Sequence, residues 1–405
     1  MPQASYHCMH DFAKQAFPEV AIVGCGAVTA AGGGVEALRA ALRANSSGLR
    51  PCARFNSSRY QSGVVGAVFK NGEGGDDPAL ELANRALSEA REQAKAVLMS
   101  VVPERLGLVL ATTKANIEAL ERASDGQPCS DSARRHLQGD LLAADLAAMH
   151  ATKGPVQCVS NACASGLIAI QQGTKLIQRG AADAVLVMGV DHLSAFVMAG
   201  FSALKALDPA GCRPFDRDRA GLSPGEAGAA IVLARASVIH QSNNPSIQQS
   251  IFVLGWGNSN DANHITGPSR DGSGLVAAIR VALDAARLEP HDIDYINAHG
   301  TGTPYNDAME SAALRNVFGD SSPPVSGSKG MLGHTLGAAG VVETILCVVA
   351  MQERWLPGTP GLTNAADGSP SGLLTKPRAA DRLNHVLKIN TGFGGVNGVI
   401  ALGYG

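Results

Sequence analysis

What this chain has little of narrows its functions before any motif is read. Aromatic residues make up 4% of it, and 33 basic side chains stand against 35 acidic ones for a formal charge of −2. So even a balance argues against general nucleic-acid binding and against a polybasic membrane anchor, and any charged partner has to be met by a local patch. The eight cysteines (Cys8, Cys25, Cys52, Cys129, Cys158, Cys163, Cys212, Cys347) form no CxxC pair and no regular framework. That leaves a reducing cytoplasm as the simplest compartment. Residues 1–18, MPQASYHCMHDFAKQAFP, lack an apolar leader core and a small-residue cleavage pattern, and no apolar run reaching about 18 residues is expected to span a membrane. A soluble protein is expected.

Glycine, by contrast, is abundant, at 47 of 405 residues. That balance suits helices packed closely on sheets and tight strand-to-helix turns. The length allows two or three domains, or one large duplicated unit. Two segments share a plan. From Val156 an apolar strand leads through a turn at Cys163 into a helix through Leu167, Ile170 and Ile177, then into the strand Ala184 to Gly189. From Val325 a short strand leads through Ser-Gly-Ser-Lys-Gly to His334 and an Ala/Gly-rich helix, Leu336 to Met351. The openings Val20–Gly26 and Ile251–Gly257 are both apolar strands ending in Gly-x-Gly. An internal duplication follows, divided at the polar stretch Gln241 to Ser246, with an N-terminal extension at 1–18, one half at 19–244 and a second at 245–405. Alternating strands and helices indicate an α/β architecture. Gly24-Cys25-Gly26-Ala27-Val28-Thr29 invites a dinucleotide site but lacks the third glycine that close approach to a pyrophosphate requires.

Cys163 sits where Cys158-Val159-Ser160-Asn161-Ala162-Cys163-Ala164-Ser165-Gly166 joins strand to helix. The N–H groups and dipole of the following helix favour a thiolate, and small neighbours let a bulky acyl group approach. Taken alone, such a cysteine is also compatible with an inert buried hydrophobe. Three further glycine-rich clusters each surround a polar residue: Asn297 to Pro304 with His299, Gly327 to Gly340 with Lys329 and His334, and Asn390 to Gly398. Together the four segments resemble the β-ketoacyl-acyl carrier protein synthases of the elongating, Cys-His-His type, from about Glu19 to the C-terminus.

The resemblance implies a thiolase-like fold, five layers αβαβα in two related halves, each with a mixed five-stranded sheet, assembled as a homodimer. It implies 3-oxoacyl-[acyl-carrier-protein] synthase chemistry: an acyl group held on Cys163 condenses with malonyl-acyl carrier protein as carbon dioxide leaves, in fatty acid or in polyene or polyketide-type biosynthesis. His299 and His334 are then neutral donors to the enolate oxygen, and the amides of Cys163 and Phe393 hold the tetrahedral oxyanion. Lys329 resembles the lysine of the family motif and is expected to keep the histidines neutral and Cys163 ionised. Glu343 interrupts the apolar run Val341 to Leu346 and is its expected partner, because a carboxylate on such a face is costly to bury unpaired. Asp307 matches a second acidic position, Thr301 and Thr303 match residues that touch the carrier's pantetheine arm, and Lys205 matches a basic position that meets the acidic carrier. No metal or bound organic cofactor is implied, since the phosphopantetheine comes with the acyl carrier protein; nucleic acid and membrane are not expected partners.

Plainer readings stand beside these. His192, His264 and His291 read as structural or exposed. Arg179, Lys205, Arg213, Arg217 and Arg219 also read as solvated charges. Cys163, His299 and His334 could together ligate zinc, although Lys329 would oppose a dication. A non-decarboxylating thiolase or acyltransferase, and a subunit of a ketosynthase heterodimer, are the rival functions. The chain departs from several elongating relatives at Thr391, where they carry an aromatic, at Gly302, where they carry serine, and at Lys114, which falls near their apolar acyl-pocket wall. Lys114 is expected either to find a polar partner and shorten or polarise the acyl tunnel, or to reach solvent.

Overall fold

The computed structural model describes residues 19–70, 73–241 and 250–404. The 1–18 extension and the proposed divide at 244 therefore lie outside the described residues. Ten strands form the main sheet: β1 (Val20–Thr29), β2 (Leu106–Ala111), β3 (Val156–Val159), β4 (Ala184–Asp191), β5 (Ala227–Arg235), β6 (Ile251–Asn260), β7 (Tyr295–Ala298), β8 (Val325–Gly327), β9 (His385–Gly392) and β10 (Val396–Tyr404). The short strand Gly32–Gly33 pairs beside β1.

The first five strands lie in the spatial order β3-β2-β4-β5-β1 and the last five in the order β8-β7-β9-β10-β6. Numbered within its own half, each set reads 3-2-4-5-1. In each half the first two contacts are parallel and the next two antiparallel. Each half thus carries a mixed five-stranded sheet, as the resemblance implies, and the two are hydrogen-bonded to one another where β1 meets β6, through two residue pairs, Ala21 with Phe252 and Ile22 with Ile251.

Helices fill the remaining layers. Helices α1 (Pro78–Gln93) and α2 (Gly139–Met149) cover the outer face of the first half, while α4 (Ser273–Ala286) and α5 (Pro304–Phe318) cover that of the second. Between the two half-sheets lie α3 (Ser165–Gln178) and α6 (Ala339–Glu353). The five-layered αβαβα arrangement is thus present, and its middle layer is the driest part. Val341 to Met351 is entirely buried, packed with Val185, Val187, Ile231, Leu233, Ile400 and Leu402. One stretch, Leu336–Glu353, proves long and apolar enough to cross a bilayer, contrary to the sequence expectation, but 89% of it is buried inside the protein. It is apolar because it touches a sheet on either side.

The two central helices cross at their starts, and glycine permits it. A Cβ on Gly340 would fall 2.3 Å from the Leu167 amide nitrogen, and one on Gly166 would fall 2.8 Å from the Gly340 Cα. This contact brings the turn before α3 up against the turn before α6. Cys163 and His334 therefore converge although 171 residues separate them.

Candidate active site

Both turns hold strained backbone. Ala162, just before Cys163, has φ of 48°, and Leu336, just after His334, has φ of 52°. Left-handed geometry at a residue with a Cβ costs roughly 1–2 kcal/mol, so the surrounding bonds must enforce it. At the first turn Ser165 Oγ donates to the Ala162 carbonyl (2.6 Å) and accepts from the Asn161 amide (2.7 Å). At the second, Asp191 Oδ2 accepts from the Gly337 amide (2.7 Å). His299 arrives at the end of β7, where Glu310 on α5 accepts from the amides of His299 (2.5 Å) and Gly300 (2.9 Å).

Cys163 Sγ and one ring nitrogen from each of His299 and His334 all lie within 4.8 Å of one another. The rings sit edge to face, 5.3 Å between centroids. Hydrogen bonds fix both tautomers. His299 Nδ1 accepts from Asn390 Nδ2 (2.9 Å) and faces the Lys329 ammonium (3.2 Å). His334 Nδ1 accepts from the Leu336 amide (3.2 Å). With Nδ1 occupied as an acceptor, each ring carries its proton on Nε2. Burial and the charge of Lys329 push His299 well below the usual imidazole range and His334 down to about 3. The site holds two neutral N–H donors.

The thiol departs from expectation. Burial pushes Cys163 up to about 12, against the downward pull of Lys329 and of the Phe393 amide. The pull of one ammonium and one amide is outweighed by desolvation, so resting Cys163 is a neutral thiol rather than the ionised group expected from the sequence.

Behind the imidazoles lies a buried charge cluster. Glu343 Oε1 accepts from Lys329 Nζ (2.6 Å) and Ser328 Oγ (3.0 Å), as its place in an apolar run suggests. Its Oε2 accepts from Asn390 Nδ2 (3.0 Å) and pairs with Lys388 Nζ (2.8 Å). The two lysines hold Glu343 down to about 2 despite its burial. Sequence reasoning missed Lys388, Asn390, Ser328, Glu310 and Asp191. For Lys388 the signal was present: a charge inside the apolar strand Val386 to Ile389, the same kind of interruption that marked Glu343.

A cavity of about 440 Å³ opens onto Cys163, His299 and His334. Thr301 and Thr303 line it, their hydroxyls 2.8 Å apart, together with Phe393, whose ring packs 6.0 Å from that of Phe201. Gly392, the last residue of β9, lets the chain leading to Phe393 approach the nucleophile, for a Cβ there would lie 3.1 Å from the Cys163 nitrogen. Lys205, which also lines the cavity, is exposed. Thr391 also lines the cavity and donates to Asn306 Oδ1 (2.7 Å). Asp307 does not reach the cavity; it accepts from the amides of Phe215 (2.7 Å) and Thr301 (3.1 Å) and holds the His299–Thr303 loop in place. Arg213 and Arg219 turn inward to backbone carbonyls. His192 is buried and His291 exposed.

Lys114 is not among the residues around this cavity. Its side chain is 6% exposed and its ammonium lies 3.1 Å from Asp191 Oδ1. The polar partner is therefore found, and the solvent-reaching alternative does not hold.

The chemistry of the donors speaks against a metal on Cys163, His299 and His334. An imidazole bound to a metal through Nε2 carries its proton on Nδ1 and gives it to an acceptor. Here both Nδ1 atoms already face donors, Lys329 and Asn390 on one ring and the Leu336 amide on the other.

Comparison with known proteins agrees over nearly the whole chain. Residues 18–238 match the model described as β-ketoacyl synthase, N-terminal domain, and residues 251–363 match that of the C-terminal domain. The tetracenomycin polyketide synthase ketoacyl synthase alpha subunit of Streptomyces glaucescens is 32% identical, the alignment covering 96% of this chain and 98% of that one. The 3-oxoacyl-[acyl-carrier-protein] synthase 2 of Coxiella burnetii is 29% identical over 95% of this chain and 98% of its own length. Among solved structures, the ishigamide ketosynthase/chain length factor superimposes with a TM-score of 0.88 at 30% identity, covering 96% of this chain and 100% of that one.

Proposed function

This chain belongs to the β-ketoacyl synthase family, and on that premise we propose that it condenses a Cys163-bound acyl group with malonyl-acyl carrier protein, releasing carbon dioxide. The observation that carries this is the pair of neutral Nε2–H imidazoles converging on one thiol. The rival thiolase reading wants a second cysteine as base. Beside Cys163 stand two imidazoles, His299 and His334, and no second cysteine lies among the described residues lining the cavity.

The neutral thiol suits the first half-reaction. Cys163 sulfur bonds to the acyl carbon, the bond to the pantetheine sulfur breaks, and the thiol proton ends on the departing pantetheine. No net proton is taken up. In the second, the malonyl carboxylate leaves as carbon dioxide and its electron pair becomes the enolate, whose oxygen receives both Nε2–H donors. The enolate carbon attacks the acyl carbonyl, the amides of Cys163 and Phe393 hold the oxyanion, and its collapse expels Cys163, which regains one proton from solvent. We assign the cavity lined by Thr301 and Thr303 to the pantetheine arm and the exposed Lys205 to the acidic carrier. No metal or bound cofactor is needed in this scheme.

We propose a cytoplasmic homodimer. The described cysteines are all free thiols, consistent with a reducing compartment. A pair with a different subunit is the second reading, favoured by the likeness to the ishigamide ketosynthase/chain length factor. Incubation with a set of acyl-carrier proteins, followed by intact mass of the enzyme, tests the function. Acyl adducts confined to Cys163 that are discharged on adding malonyl-carrier protein, with a 3-oxoacyl-carrier product, are expected. Adducts discharged by acetyl-carrier protein with no loss of carbon dioxide would favour the thiolase instead.

A further inference from the structure

Lys388 is a fully buried cation with no part in the scheme above. It stands in the middle of β9 with no exposed surface, among the largest side chains so buried. Its ammonium is ringed by oxygen: the Ile389 carbonyl at 2.6 Å, Glu343 Oε2 at 2.8 Å, and the carbonyls of Asn297 and Ala298, each at 3.3 Å. The last two end β7, the strand that delivers His299. The carboxylate is the hub through which both partners of His299 Nδ1, Lys329 and Asn390, are held.

A count of charge makes this lysine unusual. Lys329 already neutralises Glu343, at 2.6 Å. A second ammonium in this dry interior is unfavourable unless something uses it, and burial together with Lys329 pulls Lys388 down from the usual lysine range. Among the other titratable groups acting on or near it, one carboxyl offers a partial counter-charge and the rest are neutral. Glu310, on α5, spends both oxygens on the amides of His299 and Gly300, and burial pushes it up to about 7. Cys347, on α6, is pushed up to about 12 and stays a neutral thiol. Tyr295, on β7, is a buried phenol hydrogen-bonded to Ser326 and Asn297. His299 and His334 are neutral.

We propose that Lys388 is a positioning residue for the condensation: its tethered ammonium locks the end of β7 and the Glu343 hub behind His299, so that the His299 Nε2–H stays aimed at the place where the enolate oxygen forms. This rests on the condensing function proposed above. It explains why one carboxylate is clamped by two lysines, and it accords with the depressed protonation of both imidazoles, to which Lys388 contributes.

The test uses the full chain with malonyl-carrier protein, reading carbon dioxide release against pH separately from acyl transfer to Cys163. In Lys388→Met and Lys388→Gln, kcat for decarboxylation should fall on the order of tenfold to a hundredfold, less than for loss of a direct donor. The acid limb of its pH profile should move upward, because the imidazoles protonate more readily. Acylation of Cys163 should hold within a few fold. In Lys388→Ala, added methylammonium should restore part of the lost rate, since the vacated oxygen cage accepts a small cation. Variants that are folded by circular dichroism and show unchanged kcat and pH profile would overturn the role of Lys388. If the variants do not accumulate, nitrogen-15 shifts of the wild-type imidazoles decide: His299 Nδ1 unprotonated down to pH 5 supports the proposal, and its protonation near neutrality overturns it. A wild-type enzyme that releases no carbon dioxide would sink the condensing function itself, a failure distinct from that of Lys388.

Discussion

At the scale of single residues, a buried neutral thiol between two neutral imidazoles leads to pH behaviour unlike that of an ion-paired cysteine. Alkylation by iodoacetamide needs thiolate, so its rate at Cys163 should climb through pH 9 with no plateau near neutrality. Acylation from a carrier thioester should be nearly flat from pH 6.5 to 8.5, because the thiol proton leaves with the pantetheine. Peptide mapping of time courses at several pH values measures both, and an alkylation plateau near pH 7 would show that Cys163 is ionised after all. The surface competitor in such mapping is Cys158, which is exposed although its own thiol is pushed up to about 11. His299→Ala and His334→Ala should each lose on the order of 10²–10³ in decarboxylation, as removal of a single oxyanion donor does elsewhere. Acyl transfer to Cys163 should survive in both. Equal loss in the two half-reactions would mean that the imidazoles serve the nucleophile rather than the enolate.

At the scale of elements, the site depends on the crossing of α3 and α6. Gly340→Ala places a carbon 2.3 Å from the Leu167 amide nitrogen, backbone that cannot rotate away. We expect destabilisation at or beyond the roughly 1–3 kcal/mol typical of overpacking, read as a lower denaturant midpoint together with lost activity; an unchanged midpoint would place the crossing elsewhere. Lys114→Met removes one of several donors to Asp191, which retains the hydroxyls of Thr112 and Thr113 and the amides of Thr113 and Gly337. Its cost should therefore fall below the 3–5 kcal/mol of stripping a buried charge of its partner. The acyl-length preference, measured from C4 to C16 carrier thioesters, should shift toward longer chains if the pair closes the tunnel, and identical profiles would remove Lys114 from specificity. These elements differ in how far sequence revealed them. Cys163 and His334 were legible because each follows a short strand and precedes a helix of small residues, and Glu343 because it breaks an apolar run. Lys388 gives the same signal in a strand, where alternation lets a lysine pass for solvent-facing. The Lys114–Asp191 pair was not legible, since 77 residues separate its members and only the parallel neighbours β2 and β4 bring them together.

At the scale of the whole molecule, the duplication reads from the sequence because each half opens on an apolar strand ending in Gly-x-Gly and later repeats a strand, a polar turn and a helix of small residues. The joining of the two half-sheets did not, because it uses two residue pairs at the ends of β1 and β6. Stability should respond to pH through the buried imidazoles. His299 and His334 are depressed in the folded state, His334 to about 3, so their contribution is complete above the unfolded value of 6.5 and is lost as pH falls below it. His136, between Asp77 and Asp145, is raised and acts in the opposite sense, its contribution being lost as pH rises through its folded value. His150 and His192, also lowered by burial, act in the same sense as the two site imidazoles, whereas Glu310, pushed up to about 7, joins His136 in favouring the folded state as pH falls. With four lowered imidazoles against these two, the denaturant midpoint should be lower at pH 5 than at pH 7.5, and the difference should shrink in the His299→Ala, His334→Ala double variant; an unchanged difference would assign it to other groups. Light scattering should give a dimer at micromolar concentration, and a stable monomer would contradict the assembly proposed. The central claim, that two neutral imidazoles drive loss of carbon dioxide independently of the nucleophile, is tested most directly by Cys163→Gln enzyme with malonyl-carrier protein labelled at the free carboxyl. The account predicts release of labelled carbon dioxide at a rate comparable to wild type, abolished on adding His299→Ala; a Cys163→Gln enzyme that releases none, or one indifferent to His299, would contradict it.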